Sequence, residues 1–346
     1  FRLTTNKHGT KCTHSRKVFT MMIQRQLLRL AFVGLSASVL SPFSIWAQAH
    51  PNKPVKVIVT FPPGGTPDIY GRILSQELSN LWKQSVLVEN KTGASGMIGT
   101  DFVAKSAPDG YTLLLMSNAT AVSAGLFKTL PYDAEKDFTP LSILGTFDIA
   151  IVVSQESKFA SLADLLSYAK ANPGKLHSGS SGIATTGHLS LEVFNQLTGV
   201  DIVHVPYRGG APVTTALLAG DIEMSFSTVP AAIQYIKSGK LRAIAVTGDK
   251  PLETLPGIKP IKDQGVPGFK VSSWYGILAP SGTPPAVINK LNLELGKIIA
   301  MPEVKAKLLE QGWTTVHTTP AQMNKQIQTE IADWKVVINK AGITLD

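Results

Sequence analysis

The chain has 346 residues, of which 44% are hydrophobic and 16% are charged, and its formal charge is +9. These values exclude an intrinsically disordered chain, which has fewer apolar and more charged residues. The single cysteine excludes a disulfide-stabilised miniprotein, and the length predicts two domains at roughly 100–200 residues each.

The positive charge is concentrated in the first 49 residues, which contain seven basic residues and no acidic one. Removing those seven from the 33 Lys and Arg residues of the chain leaves 26, against 24 Asp and Glu residues. The remainder is therefore nearly neutral, and the overall charge gives no support for nucleic-acid binding. The first 20 residues precede two consecutive methionines and are left out of the fold prediction.

Residues 21–49 have the organisation of an export signal. Arg25 and Arg29 form a basic start, residues 30–46 are mostly apolar, and Ala47-Gln48-Ala49 has the small-x-small pattern of a cleavage site. We predict cleavage after Ala49 and a periplasmic mature protein. The alternative is an uncleaved membrane anchor, but serines and a proline interrupt the apolar stretch, which is shorter than the roughly 20 apolar residues of a span.

Short β-branched runs alternate with helical patterns along the mature chain, which is typical of a mainly parallel α/β fold. The predicted strands are 55–60, 86–88, 112–116, 149–153, 176–178, 202–205, 222–226 and 241–246. The predicted helices are 68–81, 97–105, 162–170, 187–197, 212–218, 231–236, 285–300, 302–310 and 320–340.

Two α/β units are predicted because the pattern starts again near residue 149 and then ends in helices. Strand-like segments near residues 147–153 and 271–278 are candidate crossings between the units. Two crossings make the first domain discontinuous. We therefore predict an upstream segment with the signal peptide at 1–49, a first domain formed by 50–150 with 275–346, and a second domain at 151–274.

Two strand-to-helix loops have the composition of binding loops. The first is Phe61-Pro62-Pro63-Gly64-Gly65-Thr66-Pro67-Asp68. Its two glycines leave backbone amides uncovered, while Thr66 suits the N-cap and Pro67 the first helical position. Free N–H groups at the positive end of a helix dipole suit an anion. The alternative is a capped turn that binds nothing.

The second loop lies between Ser178 and His188 and again runs from a strand into a helix. Its small hydroxyl side chains offer hydrogen-bond donors without bulk, at Ser180, Ser181, Thr185 and Thr186. Ligands of open α/β sheets sit at the carboxyl ends of strands. The preferred interpretation is an anion held between two helix N-termini, one from each α/β unit.

Further candidates follow or flank other strands. Arg208, after Tyr207, is either a partner of a ligand carboxylate or a solvated surface arginine. Trp274 either forms a wall of the cleft or is a core tryptophan. Ser117 ends another predicted strand and is also a candidate.

Enzyme signatures are weak in this sequence. Residues 93–99 read G-x-x-G-x-x-G, which departs from the dinucleotide fingerprint, and Ser181 is not in a nucleophile elbow. His188 lies near serines, but a histidine at a helix start is more often a cap or core contact. Asp68 is either a general base or a first-turn acid that the helix dipole favours. The histidine spacings fit no metal site, so we predict no metal, no cofactor and no catalysis.

At this point the chain resembles a known family, the Bug-type receptors, which are the extracytoplasmic solute-binding proteins of tripartite tricarboxylate transporters. The resemblance covers essentially all of residues 50–346. The segments that carry it are 51–55, 61–68, 88–94, 107–114, 203–207 and 276–284.

The resemblance implies a type II periplasmic binding protein-like fold, with two α/β domains joined by two crossing strands. It also implies a monomeric receptor that holds a small carboxylate by amides, hydroxyls and water, closes by a hinge and delivers the ligand to a permease. By motif match, the first loop contributes Gly64, Gly65, Thr66 and Asp68. The second loop contributes Ser180, Ser181, Thr185, Thr186 and His188.

This chain departs from many relatives at Pro67, which removes one amide donor, and at Ser227, where others carry an acidic or amide residue. The predicted ligand-binding residues are Phe61, Gly64, Gly65, Thr66, Asp68, Ser117, Ser180, Ser181, Thr185, Thr186, His188, Tyr207, Arg208, Ser227 and Trp274. The alternative functions are a hydrolase or transferase that uses Ser181 or His188, and an orphan receptor that feeds a signalling partner. Amino acids, dicarboxylates, tricarboxylates and aromatic acids all remain open as ligands.

Overall fold

The computed structural model describes residues 50–341, apart from 119–121, 123–126, 128, 270 and 272. The chain from Pro51 onward forms one compact unit. No helix within the described residues has the length and apolar character required to cross a membrane. The predicted export signal and its cleavage after Ala49 lie outside the described residues.

Strands and helices alternate through most of this unit. The described strands are β1 (Val55–Val59), β2 (Val86–Asn90), β3 (Thr112–Ser117), β4 (Phe138–Phe147), β5 (Ile149–Ser154), β6 (Leu176–Ser180), β7 (Ile202–Pro206), β8 (Met224–Thr228), β9 (Leu241–Val246), β10 (Ser273–Pro280) and β11 (Thr314–Thr315). The described α-helices are α1 (Thr66–Trp82), α2 (Met97–Ala104), α3 (Leu162–Ala171), α4 (Thr186–Thr198), α5 (Gly210–Ala219), α6 (Val229–Lys237), α7 (Pro285–Ala300), α8 (Pro302–Glu310) and α9 (Pro320–Ala341).

The strands form two sheets. The first has the order β11-β4-β10-β3-β1-β2, and the second has the order β7-β6-β8-β5-β9. Strands β2, β1 and β3 are parallel, as are β7, β6 and β8, whereas β10 and β5 run antiparallel to both of their neighbours. We call the six-stranded sheet with its helices the first lobe and the five-stranded sheet with its helices the second lobe.

The chain passes between the lobes twice. Strand β4 of the first lobe ends at Phe147 and strand β5 of the second lobe begins at Ile149. The return follows β9 and ends where β10 begins at Ser273. The predicted pattern of two α/β halves with two crossings matches this connectivity, while the domain boundaries at 150 and 274 stay predictions.

The central strand β1 shows how the pattern of apolar residues creates the core. Its valines Val55, Val57 and Val59 are fully buried and belong to the same cluster as the inner face of α1. Ile58 points to the opposite face and belongs to a cluster with residues of α2 and β3. Both faces of β1 are therefore covered at its carboxyl end, while Lys56 near its start is exposed. Each buried aliphatic side chain contributes about 1.5–3 kcal/mol.

The sequence did not predict β4, a strand of ten residues. Pro140 and Gly145 interrupt its apolar pattern, and its pairing with β10 contains two register shifts, so no regular alternation marks it. The prediction of a mainly parallel fold was also wrong: among the described strands, three of the five pairings in the first sheet and two of the four in the second are antiparallel. Strands β4 and β10 carry the crossings, so the irregular part of the sheet is the part that joins the lobes.

Asp148 occupies the first crossing, between β4 and β5. Its carbonyl oxygen accepts the Val229 N–H at 2.9 Å, so its backbone is fixed to the start of α6. Burial and the negative charge of Asp249 raise the pKa of the Asp148 carboxyl to about 6, although the Gly248 N–H acts in the opposite direction. Ionisation of this carboxyl therefore opposes folding near neutral pH.

We expect Asp148→Asn to change how stability depends on pH. Because the folded pKa of about 6 exceeds the ordinary 3.8, the folded state binds the extra proton, and its stabilising effect is lost as the pH rises through about 6. The asparagine lacks this loss, which is on the order of 2 kcal/mol. Thermal unfolding at about pH 4.5 and pH 7.5 checks this. The stability of the variant relative to the wild type is expected to be greater at the higher pH, and the same stability difference at both pH values would contradict the prediction.

Candidate ligand-binding site

A cavity of about 550 Å³ lies between the two lobes. Its walls are formed where β1 and β3 of the first lobe and β6, β7 and β8 of the second lobe reach their carboxyl ends, together with the start of β10. The fold therefore brings the two predicted binding loops to one opening. We call residues 61–65 loop 1 and residues 181–185 loop 2.

Loop 1 is fixed by Asp68, whose carboxylate accepts three hydrogen bonds. The Gly64 N–H and the Arg72 Nε–H donate to Oδ2 at 2.9 Å, and the Asn90 amide donates to Oδ1 at 2.9 Å. Burial acts to raise the pKa of Asp68, but the bonds from Arg72, Gly64 and Asn90 outweigh it and hold the pKa below its usual range. Asp68 is thus an anion that serves the loop and is absent from the cavity wall.

One expectation for loop 1 was wrong: the Gly64 amide is not uncovered. Its N–H is taken by Asp68, and the N–H of Gly65 donates to the Pro62 carbonyl at 3.3 Å. Gly64 has a φ of +78°, which explains why glycine is suited to this position. Thr66, at the first position of α1, lines the cavity, and its amide has no acceptor among the described residues.

Loop 2 likewise satisfies most of its own polar groups. The Ala184 N–H donates to His188 Nδ1 at 3.1 Å, and the Thr185 hydroxyl donates to the Gly182 carbonyl at 2.7 Å. The amides of Thr186 and Gly187, in the first turn of α4, have no acceptor among the described residues and line the cavity. These amides are the donors that loop 2 presents.

Four helices begin at this cavity. Their N-cap residues, which are Gly65 of α1, Thr185 of α4, Gly209 of α5 and Thr228 of α6, all line its wall. Each helix N-terminus carries a partial positive charge. Among the described lining residues none is acidic, and Arg208 is the only one with a charged side chain. The electrostatic field inside the cavity therefore favours an anion.

Side chains of the two lobes meet around this cavity. The hydroxyls of Thr66 and Thr228 are 3.0 Å apart, and the Ser95 hydroxyl donates to the Ile183 carbonyl at 3.4 Å. On another side, the Thr186 hydroxyl of the second lobe donates to the Asn118 amide oxygen of the first lobe at 3.4 Å. These contacts join the lobes at and beside the cavity, so the structure shows the lobes close together.

Ten of the predicted ligand-binding residues line the cavity. They are Phe61, Gly64, Gly65, Thr66, Ser117, Ser181, Thr185, Thr186, Arg208 and Ser227.

A model of the tripartite tricarboxylate transporter family receptor matches residues 70–343. The chain belongs to this receptor family. It is 35% identical over 321 residues to the protein BugT of Bordetella pertussis, which covers 91% of this chain and 98% of BugT. The predicted family resemblance is therefore confirmed.

Solved structures of similar proteins share the receptor's fold. Rpa4515 of R. palustris with adipate is 34% identical, with a TM-score of 0.82 over 85% of this chain and 99% of its own. MatC of Rhodopseudomonas palustris with bound malate is 28% identical, with a TM-score of 0.78 over 83% of this chain and 99% of its own. These likenesses confirm the periplasmic binding protein-like fold of two α/β lobes.

Five predicted residues do not line the cavity of this receptor: Asp68, Ser180, His188, Tyr207 and Trp274. Ser180 is 2% exposed and lies beneath loop 2. Tyr207 donates its N–H to the Ser180 carbonyl at 2.9 Å and packs partly against the second-lobe core. Asp68, Ser180, His188 and Tyr207 therefore support the loops from behind.

Trp274 is a core residue in this structure, which was the alternative to its role as a cleft wall. It is 2% exposed, its indole N–H donates to Glu330 at 2.7 Å, and it packs in the cluster that contains Met323. Successive residues of a strand point to opposite faces. For that reason Ser273 and Tyr275 line the cavity and Trp274 does not.

The sequence analysis missed an aromatic wall of the cavity. Tyr275 packs against Phe147 with ring centroids 4.9 Å apart and the ring planes tilted by 38°, and both residues line the cavity. Tyr70 supports Tyr275 from behind at 5.4 Å. The alternation of strand β10 was the available signal, since Tyr275 shares a face with the polar Ser273. Phe147 lies at the end of β4, which the sequence did not predict.

The hydrolase alternative requires a base next to Ser181. Within the described residues no histidine forms a hydrogen bond with Ser181, and His188 uses Nδ1 to accept the Ala184 N–H. A serine–histidine pair exists at Ser180 and His204, 2.6 Å apart, but Ser180 does not line the cavity. No group of three or more His, Cys, Asp or Glu side chains in the described part of the chain is arranged to hold a metal.

Asp68→Ala is expected to destabilise the receptor by about 1–3 kcal/mol, because the Gly64 amide and the Asn90 side chain lose a buried acceptor. Since the pKa of Asp68 is lowered, the wild-type advantage is present above its ordinary pKa and disappears as the pH falls through the folded value. Urea unfolding near pH 7 measures the effect. Glu303→Ala is the control, because Glu303 is an exposed first-turn acid of α8. Equal losses of unfolding free energy in both variants would show that Asp68 stabilises the protein only through the helix dipole.

Proposed function

We propose that this protein is a periplasmic receptor that captures a small carboxylate between its two lobes and delivers it to a membrane permease of the tripartite tricarboxylate type. The observation that carries the proposal is the cavity itself. Four helix N-termini end there, no described lining residue is acidic, and Arg208 supplies a positive charge. Each of these features lowers the free energy of an anion bound in the cavity.

The similar proteins narrow the anion to a carboxylate. One solved relative holds adipate and another holds malate. Both relatives share the fold and most of the length of this chain, so the same cavity is expected to serve the same class of ligand. The hydroxyls of Ser181, Thr185 and Thr186 add neutral donors to the amides at the cavity wall.

The two crossings support a hinge mechanism. Closure around a ligand brings the lobes together, and the ligand stabilises the closed form in proportion to its preference for that form. Contacts such as Thr66 with Thr228 belong to the closed arrangement. In this proposal the mature protein begins after Ala49, acts as a monomer, and binds its ligand without turnover or nucleic acid.

A thermal-shift screen with malate, adipate, citrate, glutamate and benzoate tests the proposed function. A ligand that binds only the folded state raises the apparent unfolding temperature. At least one of these carboxylates is expected to do so, with 1:1 stoichiometry and no product formed. Conversion of a bound carboxylate to a product would instead support the hydrolase or transferase alternative.

Gly65→Val is expected to weaken carboxylate binding by at least about tenfold, or about 1.4 kcal/mol. The new Cβ lies 3.2 Å from the Pro62 carbonyl oxygen, and the branched side chain occupies the cavity wall beside the Thr66 amide. The backbone of Gly65 is extended, with φ −75°, so folding is expected to survive. Ala300→Val is the control, since Ala300 is an exposed residue at the end of α7 that does not line the cavity; unchanged affinity in the Gly65 variant would refute the role of loop 1.

Arg208→Gln is expected to reduce affinity for dicarboxylates more than for monocarboxylates, because the only described charged side chain of the wall is then lost. Charge-assisted hydrogen bonds to a carboxylate contribute about 1.5–3 kcal/mol, which corresponds to about tenfold or more in Kd. Arg208→Lys keeps the charge and is the control. Calorimetric titration at low and high salt checks the difference. Equal affinities for the wild type and Arg208→Gln would show that Arg208 is a solvated surface arginine with no role in ligand binding.

A further inference from the structure

Loop 1 and loop 2 have the same backbone construction. Gly64 and Ala184 have φ values of +78° and +63°. The next residues, Gly65 and Thr185, are N-caps with φ/ψ of −75°/163° and −73°/161°. The two loops of the cavity therefore place their following helices, α1 and α4, in equivalent ways.

The same hydrogen bond closes both loops. In loop 1 the N–H of Gly64 donates to the side chain four residues later, Asp68 Oδ2, at 2.9 Å. In loop 2 the N–H of Ala184 donates to the side chain four residues later, His188 Nδ1, at 3.1 Å. His188 thus occupies in the second lobe the position that Asp68 occupies in the first.

Ala184 depends on this bond more than Gly64 does. A residue with a Cβ atom is disfavoured at positive φ, and Ala184 is only 2% exposed, so water does not replace a lost partner. The acceptor at His188 also fixes the tautomer, because Nδ1 must be unprotonated and the ring carries its proton on Nε2. The imidazole at this position is therefore neutral.

His204 holds the other end of loop 2. Its Nε2 lies 2.6 Å from the Ser180 hydroxyl, which is also 2.9 Å from the Gly182 carbonyl and accepts the Gly182 N–H at 3.2 Å. Because the Ser180 hydroxyl donates its proton to the Gly182 carbonyl, His204 Nε2–H is the donor to Ser180. The imidazole rings of His188 and His204 stack with centroids 3.9 Å apart.

Burial keeps both rings neutral. It lowers the pKa of His188 to about 4, and burial together with the proximity of His188 lowers the pKa of His204 to about 4. Glu192 Oε1 lies 3.6 Å from His188 Nε2, and burial raises the pKa of this carboxyl. Both members of that pair are therefore shifted towards their neutral forms.

We propose that His188 and His204 are positioning residues of the ligand site, which hold loop 2 so that the Thr186 and Gly187 amides face the cavity. Their connection to ligand affinity rests on the proposed function, whereas their effect on loop 2 does not. In this role the acceptor atom of His188 and the donor atom of His204 are essential, and the ring volume is not sufficient. In a purely structural role the two rings only fill space in the core, so apolar volume is sufficient and the hydrogen-bonding atoms are not required.

Matched variants separate the two roles. His188→Asn keeps an acceptor near the position of Nδ1, and His188→Leu removes it at comparable apolar volume. His204→Gln keeps a donor near Nε2, and His204→Leu removes it. Circular dichroism and thermal unfolding show whether each variant is folded. If His188→Leu does not fold, the two His204 variants provide the test.

Hydrogen–deuterium exchange of the ligand-free protein is the first measurement. In the leucine variants, exchange across residues 181–187 is expected to rise by roughly tenfold or more, while the asparagine and glutamine variants stay within about threefold of the wild type. Equal exchange in the leucine variants and the wild type overturns the proposal. The same holds if the polar variants lose protection as far as the leucine variants do.

Calorimetric titration with adipate and malate is the second measurement. Weakening by about tenfold or more in the leucine variants, with recovery in the polar variants, supports the connection to ligand affinity. Lost protection with unchanged affinity refutes that connection. Failure of the wild type to bind any carboxylate in the thermal-shift screen refutes the proposed function and leaves the exchange result to decide the positioning role.

Discussion

In a parallel strand–helix unit, every helix begins at the carboxyl edge of the sheet. This constraint determines the chemistry of the cavity, because the two lobes turn those edges towards each other and the starts of α1, α4, α5 and α6 all reach the same space. The partial positive charges of four helix termini then act on one ligand. The chain keeps acidic side chains away from the described wall of the cavity. Asp68, which lies nearby, forms an ion pair with Arg72 and accepts hydrogen bonds from Gly64 and Asn90.

The binding loops must be rigid if their amides are to be preorganised for an anion. A backbone at positive φ costs energy for a residue with a side chain, and the chain meets this cost in two ways. Loop 1 uses glycine at position 64, whereas loop 2 places Ala184 at φ +63° and offsets the cost with a buried hydrogen bond to His188. Neutral imidazole is a suitable acceptor in loop 2, because it adds no negative charge beside an anionic ligand.

Local signals in the sequence were sufficient for much of the site. The turn residues of loop 1 and the hydroxyls of loop 2 identify strand-to-helix junctions, and the two α/β units bring them to one cavity. The supporting roles of Asp68 and His188 were beyond the sequence, because an i+4 side-chain acceptor is recognisable only once the φ of the donor residue is known. The orientation at Trp274 was within reach, since strand alternation alone separates it from Tyr275.

The missing strand β4 illustrates a different limit. Pro140 and Gly145 lie within it, and Gly145 is required because a Cβ there would lie 2.9 Å from the Tyr70 hydroxyl. Tyr70 in turn packs against Tyr275 of the cavity wall. The glycine that breaks the apolar pattern is therefore the residue that admits the aromatic support of the site. A close approach of this kind is a tertiary requirement, and a single strand's periodicity carries no record of it.

The contacts between the lobes limit how the receptor holds its closed form. The polar contacts between the lobes include Thr66 with Thr228 and Ser95 with Ile183, at 3.0 and 3.4 Å. A typical hydrogen bond contributes only about 0.5–1.5 kcal/mol net. A ligand of micromolar affinity contributes about 8 kcal/mol at standard concentration. When a ligand binds the closed form preferentially, its binding free energy dominates these few contacts. The balance between open and closed forms is then governed by the anion between the helix termini, which is the dependence that a capture receptor requires.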